Sequence, residues 1–234
     1  MPLKGSSSGD GGCLASEVSP REVSVHVVAS MRELIRKSRV HLIGGTSHAG
    51  KSTLAQALAS RLGWQYMSTD KLARHPGRPW AEAPNLVPDH VAEHYLSLPV
   101  DELITDVMDH YRDNVWPIAR PIITEHATNL SVDCLVMEGS ALLPELVAAI
   151  HLENVSCVWL TADPKLIEKR IYAGSGYAEK ESRERKMIDR FLERSVVYNA
   201  QMREAVKDLD LRLVEVRATS SVEALVDECL KALS

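Results

Sequence analysis

The sequence predicts an α/β fold, a parallel sheet covered on both faces by helices. Three observations predict it. Short, predominantly apolar runs without polar alternation recur at 39–45 (RVHLIGG), 134–137 (CLVM) and 155–160 (VSCVWL). Continuous apolar runs of this length belong to strands buried on both faces, whereas half-solvated strands alternate. Stretches with apolar residues at helical spacing lie between them, and strands alternating with helices give a parallel sheet. The first run also ends in glycines that lead straight into a helical pattern, a strand–loop–helix join.

The elements follow in order. Residues 1–20 hold four of the twelve glycines together with Ser6, Ser7 and Ser8. Such a stretch buries too little apolar surface to offset its ordering entropy, so a disordered tail is expected there, with a single domain over 21–234. Residues 23–37 carry Val27, Val28, Met31, Leu34 and Ile35 at helical spacing. The strand at 39–45 comes next, then a helix with Leu54, Ala57, Leu58 and Leu62 on one face and Gly63 as its stop. Residues 64–68 and 211–216 supply two more strands. Asp163-Pro164 reads as an N-cap followed by proline at the first helical position. Ser220 and Glu223 form a capping box for a last helix with Val222, Leu225, Val226, Cys229 and Leu230 inward.

Composition excludes several classes. The 234 residues are 45% hydrophobic and 25% charged, the balance of a globular domain that can bury a core. The charge sum is 27 − 32 = −5 and aromatics are 5%, which argues against a basic nucleic-acid face or a base-stacking platform. No run approaches the roughly 20 apolar residues that span a bilayer, and no cation-led apolar segment opens the chain as a secretory signal would. Cys13, Cys134, Cys157 and Cys229 are widely spaced, without a CxxC pair. A reduced, cytoplasmic setting is expected, with Cys134 and Cys157 as small buried hydrophobes.

The strongest chemical signal is Gly45-Thr46-Ser47-His48-Ala49-Gly50-Lys51-Ser52, a complete GxxxxGK[ST]. The glycines let the backbone curl so that successive N–H groups point at one anion, and the helix that follows adds its positive end. Lys51 is expected to reach the β- and γ-phosphates and Ser52 to ligate Mg²⁺. His48 stands at a variable position and is expected to be a spacer.

This loop, with Thr53 and the helix running to Gly63, resembles the opening of P-loop small-molecule and nucleoside monophosphate kinases. Ser68-Thr69-Asp70, with Arg74 four residues on, resembles a segment of 2-phosphoglycerate kinase-like proteins. Val136-Met137-Glu138-Gly139 resembles their acidic strand end, and Leu166 to Ile171 resembles the helix entering the lid of nucleoside monophosphate kinases. The resemblance implies a three-layer P-loop NTPase sandwich with a five-stranded parallel sheet in the order 2-3-1-4-5. It also implies ATP with Mg²⁺, γ-phosphoryl transfer to a small acceptor and a lid, expected at 170–190. Residues 75–130 match no segment of these kinases and are expected to form a helical acceptor-binding insertion. Residues 45–53 would hold the nucleotide, with Arg170 stacked on its base. Many relatives carry a second lid arginine where this chain has Gly174; Arg183, Arg185 and Arg190 are the replacements considered, with Arg183 named as catalytic.

Asp70, just beyond the second strand, is placed to handle the proton of an acceptor hydroxyl. The competing reading is that Ser68, Thr69 or Asp70 caps the helix at Lys71. Glu138 ends an apolar strand, where a charge needs a partner, so it is assigned with Ser52 to the Mg²⁺ side. Arg74 and Arg78 flank His75-Pro76-Gly77 and fit a phosphate or carboxylate. Residues 81–114, however, hold eight acids against one base, which favours a neutral or cationic acceptor such as a nucleoside, sugar or amino-sugar over a glycerate. Two other classes remain open: an ATP-binding regulator or toxin-like protein that keeps the loop without the chemistry, and a zinc peptidase read from His90-Val-Ala-Glu93-His94, an HxxEH pattern.

Overall fold

The computed structural model describes residues 38–73, 75–81 and 86–233. The expected tail, the helix at 23–37 and Arg74 lie outside the described residues. Five strands form one sheet: β1 (Val40–Gly45), β2 (Gln65–Ser68), β3 (Leu135–Glu138), β4 (Val155–Ala162) and β5 (Leu213–Val216). Their order is β2-β3-β1-β4-β5, and every neighbouring pair is parallel. This is the expected three-layer α/β sandwich, with the strand order that the resemblance implies. Crossovers between parallel strands need long connections, and helices supply them. They are α1 (Lys51–Leu62), α2 (Asp89–Ser97), α3 (Val100–His110), α4 (Trp116–Thr128), α5 (Pro144–Ala148), α6 (Pro164–Ser175), α7 (Ser182–Asp208) and α8 (Val222–Leu233). One π-helical turn at Tyr111–Val115 joins α3 to α4.

Strand alternation sorts the core onto two faces. Ile43, Val136, Val158 and Leu160 face one side with Leu54 and Leu58 of α1 and Leu225 and Val226 of α8. Leu42, Leu135, Met137 and Trp159 face the other with Ile123 of α4 and Met202 of α7. The 27-residue α7 serves both: Phe191 in its first half packs in one cluster, Tyr198 and Val206 in the other. It therefore crosses the end of the sheet at which β1 and β3 deliver their C-termini. His41 of β1 is fully buried, its ring stacked on Trp64 at 4.6 Å, and both ring nitrogens lack a partner. Burial pushes that imidazole down to about 4.

Gly63 takes φ +68 and ends α1, and Asp163 accepts from the Lys165 N–H at 2.8 Å, both as expected. Other details differ. The last helix is capped by Ser221, whose Oγ accepts from the Ala224 N–H, while Ser220 accepts from Arg217. In the stretch expected as a lid, α6 runs through Gly174, Gly176 closes it in the left-handed conformation, and a single 3₁₀ turn leads to α7. A reciprocal cap between Glu181 and Glu184 starts α7. Cys134 and Cys157 are half-buried; of the described cysteines, only Cys229 is deep in the core.

Candidate active site

β1 ends where Gly45 and Gly50 turn through φ +132 and +100, and a Cβ on Gly45 would overlap the Leu160 carbonyl. These are backbone conformations that side chains oppose. The Gly50 N-cap contributes no side-chain bond, so the first N–H groups of α1 stand open to an anion. His48 also has φ +62, and its ring packs against Trp80 and Phe191 at 5.8 and 6.0 Å. Burial, reinforced by Arg78, Lys51 and Arg170, pushes it down to about 4, so at neutral pH it packs rather than exchanges protons.

Lys51 is buried, and its Nζ donates to the Thr46 carbonyl at 2.8 Å and to Ser140 Oγ at 3.2 Å. Desolvation lowers its pKa, while the charges of Glu138 and Asp70 pull it back up. Ser52 Oγ donates to Glu138 Oε1 at 3.1 Å, and Tyr66 OH donates to the same oxygen at 3.1 Å. The Glu138 carboxylate, only 2% exposed, thus sits beside the hydroxyl expected to share its cation.

Beyond β2, Ser68 caps the 3₁₀ turn Thr69–Lys71 by accepting the Asp70 N–H. The cap is therefore Ser68, and the Asp70 side chain is left to line a cleft of about 160 Å³. Ser47 of the loop, Arg78, His110, Tyr111 and Arg194 share that cleft. Burial pushes the Tyr111 phenol up to about 12, so it stays protonated.

Arg194 belongs to no motif that the sequence announces. It is 6% exposed, its guanidinium lies 4.9 Å from the Phe191 ring and 5.4 Å from the Tyr95 ring, and Nη1 has no hydrogen-bond partner. Among the described residues no carboxylate lies within salt-bridge distance of it. The adjacent Ser195 carbonyl accepts from Thr46 Oγ1 at 3.0 Å, which moors this part of α7 to the phosphate loop. A signal was present all the same: Met187, Ile188, Phe191, Arg194, Ser195 and Tyr198 follow one helical stripe, and a cation in a buried stripe demands an explanation.

The other expected arginines separate. Arg78 lines the cleft with its guanidinium 6.0 Å from the Trp80 ring. Arg170 Nη1 donates to the His48 and Ala49 carbonyls at 3.0 and 3.1 Å. It flanks a second groove, between the loop and β5, with Thr53, Val216 and Leu225. Arg183 is not brought to the cleft or to this groove; it is exposed at the start of α7 beside Asp89 and Glu93 of α2. Arg185 caps the Tyr177 and Ala178 carbonyls, and Arg190 pairs with Glu193. Of the acids of 81–114, Asp89, Glu93, Asp101, Glu102, Asp106, Asp109 and Asp113 are exposed, and none lines the cleft. Glu82 lies outside the described residues. The cleft itself is cationic, with two arginines against one carboxylate.

The HxxEH pattern falls on α2, but His90 and Glu93 are exposed while His94 turns inward against His75 and Asp106. His90, Glu93 and His94 therefore do not present one metal-binding set, and the peptidase reading is set aside.

No family model and no curated protein matches the chain. Solved structures do. A gluconokinase from Sinorhizobium meliloti 1021 is 17% identical with a TM-score of 0.49, over 83% of this chain and 90% of that one. Shikimate kinase from Acinetobacter baumannii in complex with shikimate is 17% identical, TM-score 0.38, over 86% and 95%. Deoxyadenosine kinase from M. mycoides with bound dATP is 14% identical, TM-score 0.42, over 82% and 97%. No residue of this chain takes a role from them.

Proposed function

We propose that this chain is a kinase that transfers the γ-phosphoryl group of ATP to a hydroxyl of a small acceptor bearing a carboxylate or phosphate. One observation carries the reading. The cleft that opens beside the phosphate loop at Ser47 is lined by an uncommitted carboxylate, Asp70, and by Arg194, a buried cation whose Nη1 is unpartnered. Tyr95 meets only part of the guanidinium's bonding capacity; a buried charge left partly unpaired is costly, and an anionic ligand lowers that cost.

Phosphoryl transfer asks a protein for positioning and charge stabilisation. The open amides at the start of α1 and the Lys51 ammonium hold the nucleotide's phosphates. Ser52 and Glu138 offer adjacent hard oxygen donors and so fit Mg²⁺, which when bound neutralises charge on the β- and γ-oxygens. The nucleoside lies along Thr53 and Arg170 in the second groove. Asp70 orients the acceptor hydroxyl and takes its proton as the new bond forms. Arg78 and Arg194 grip the acceptor's anionic group, for which the planar guanidinium fork is suited. In this reading 38–233 is one kinase domain, the helices of 89–128 wall the acceptor site, and 170–190 closes over the phosphates as a lid. No described helix is long and apolar enough to cross a membrane, and a cytoplasmic setting is part of the proposal.

The test is an acceptor screen with ATP labelled at the γ-phosphoryl, across phosphoglycerates, sugar acids, nucleosides, neutral sugars and amino-sugars. Label is expected in hydroxy-carboxylates or hydroxy-phosphates. Label only in neutral or cationic acceptors overturns the anionic-acceptor reading. Nucleotide binding with no transfer to any acceptor overturns the kinase in favour of a nucleotide-binding regulator.

A further inference from the structure

Next to the acceptor cleft, and sharing His75 with its lining, stands a second group of ligand-bearing side chains, drawn from three elements. His75 comes from the segment after β2, His94 from α2 and Asp106 from α3. One ligand atom from each lies within 4.8 Å of the other two. His75 Nε2 is 3.2 Å and His94 Nε2 3.8 Å from the same oxygen, Asp106 Oδ2. The two imidazoles are 13% and 11% exposed, whereas the carboxylate is half in solvent.

A plain hydrogen-bond cluster accounts for only part of this. His75 Nε2 reaches Asp106, but His94 Nε2 is buried, aimed at the same carboxylate, and has no hydrogen-bond partner. Two imidazoles converging on a carboxylate are the donor set of a borderline divalent ion. Ligands at about 2.0–2.2 Å in a tetrahedron stand roughly 3.4 Å apart. The 3.2 and 3.8 Å separations bracket that edge.

We propose that His75, His94 and Asp106 bind a divalent transition-metal ion of the zinc class, distinct from any nucleotide-bound Mg²⁺, which fastens the acceptor segment 75–81 to α2 and α3. Three protein ligands leave a coordination position open. His110, one turn after Asp106 with its ring 4.9 Å from that of His75, stands beside the group as a further nitrogen donor. Occupancy also acts on the acceptor segment itself. An ion on Nε2 takes the place of the proton His75 shares with Asp106, and the single proton of the neutral ring moves to Nδ1. That nitrogen accepts the Gly77 N–H at 3.3 Å, so the Gly77 amide must turn away. Gly77, at φ +74, is the residue of the segment best able to do so, and it precedes Arg78.

The inference stands whether or not the chain is a kinase, and its test uses no nucleotide. Chelator-treated, desalted full chain is titrated with Zn²⁺ by calorimetry and with Co²⁺ by visible absorption. One equivalent is expected. Asp106→Asn and His94→Gln are each expected to weaken binding by at least about tenfold, the lower end of what losing a supporting partner alone costs a metal site. His90→Ala and Glu93→Gln, at exposed positions on the same helix, are expected to leave it unchanged. Asp106 is half-exposed, so its variant tests the site even if His94→Gln fails to fold. Absence of stoichiometric binding at micromolar Zn²⁺, or binding unchanged in Asp106→Asn, overturns the proposal. So does equal loss in His90→Ala, which would return the ion to the HxxEH pattern.

Discussion

Replacing Arg194 by methionine separates a functional cation from a structural one, because the two roles predict changes in opposite quantities. Methionine keeps an unbranched stem between the Phe191 and Tyr95 rings and restores sulfur–aromatic packing worth about 0.3–1.5 kcal/mol. The substitution removes two cation–π interactions worth about 0.5–2 kcal/mol each. Against them stands the removal of a buried charge with an unpartnered Nη1, a penalty of roughly several kcal/mol. The free protein is therefore expected to keep its stability within about 1 kcal/mol, or to gain, so that Tm moves down by no more than about 2–4 °C. Binding behaves differently. Truncating one side of a buried, hydrogen-bonded charge pair costs about 2–5 kcal/mol, or roughly 30- to 4,000-fold at about 1.4 kcal/mol per tenfold. That loss is expected in kcat/KM for the acceptor found by the screen, with ATP-induced stabilisation intact. Thermal melts of the free chain and steady-state kinetics on the same preparation read both. If Arg194→Met instead loses about 3 kcal/mol or more of stability while acceptor kinetics hold within about twofold, the guanidinium is a core group. The case for an anionic acceptor then fails with it.

Other outcomes follow from the same geometry. Lys51→Ala removes most of the rise in Tm that Mg·ATP gives the wild type; equal stabilisation in the variant would move the nucleotide elsewhere. Asp70→Asn lowers kcat by about 10²–10⁴-fold and spares ATP affinity, as loss of a positioned base does; near-full turnover would leave the Asp70 carboxylate without a catalytic part. Glu138→Gln shifts the Mg²⁺ concentration giving half-maximal rate, and a change in rate alone would detach Glu138 from the metal. Stability falls as pH drops from about 6.5 toward 4, because the unfolded chain takes up protons on His41 that the folded chain refuses. His41 alone contributes about 2 kcal/mol of that loss by pH 5. Urea denaturation at pH 7 and pH 5 is expected to show a shallower drop for His41→Phe, and an unchanged drop would assign the proton uptake to other groups.

The sheet and the phosphate loop were legible because their signals are local. Continuous apolar runs mark strands buried on both faces, and the glycine spacing is dictated by backbone curvature around an anion. Glu138 was legible for a similar reason, as a charge ending an apolar strand. Arg194 was not, because its meaning depends on which helical face meets the loop, and that is fixed by contacts such as Thr46 with Ser195, 149 residues away. Arg183 drew attention by lying in a basic stretch, yet charge density says nothing about direction: α7 points it at α2 rather than at the nucleotide. The acidic stretch is silent on direction in the same way. Its carboxylates are many but outward, and two arginines facing inward set the character of the cleft.

Gly139 has a bearing on how such a site can change. Ser68 and Glu138 are paired across β2 and β3, and one residue beyond each, Thr69 lies so close to Gly139 that a Cβ there would overlap it. The carboxylates on the two strand ends are thus held by a contact between backbone and a buried threonine, with no adjustable side chain between them. The walls that distinguish one acceptor from another, at His75, Arg78 and His110, come instead from segments outside the sheet. The spacing between the proton-handling and cation-holding groups can stay constant while those walls are exchanged. A library that randomises the walls and leaves 69 and 139 alone explores new acceptors on an unaltered reaction frame.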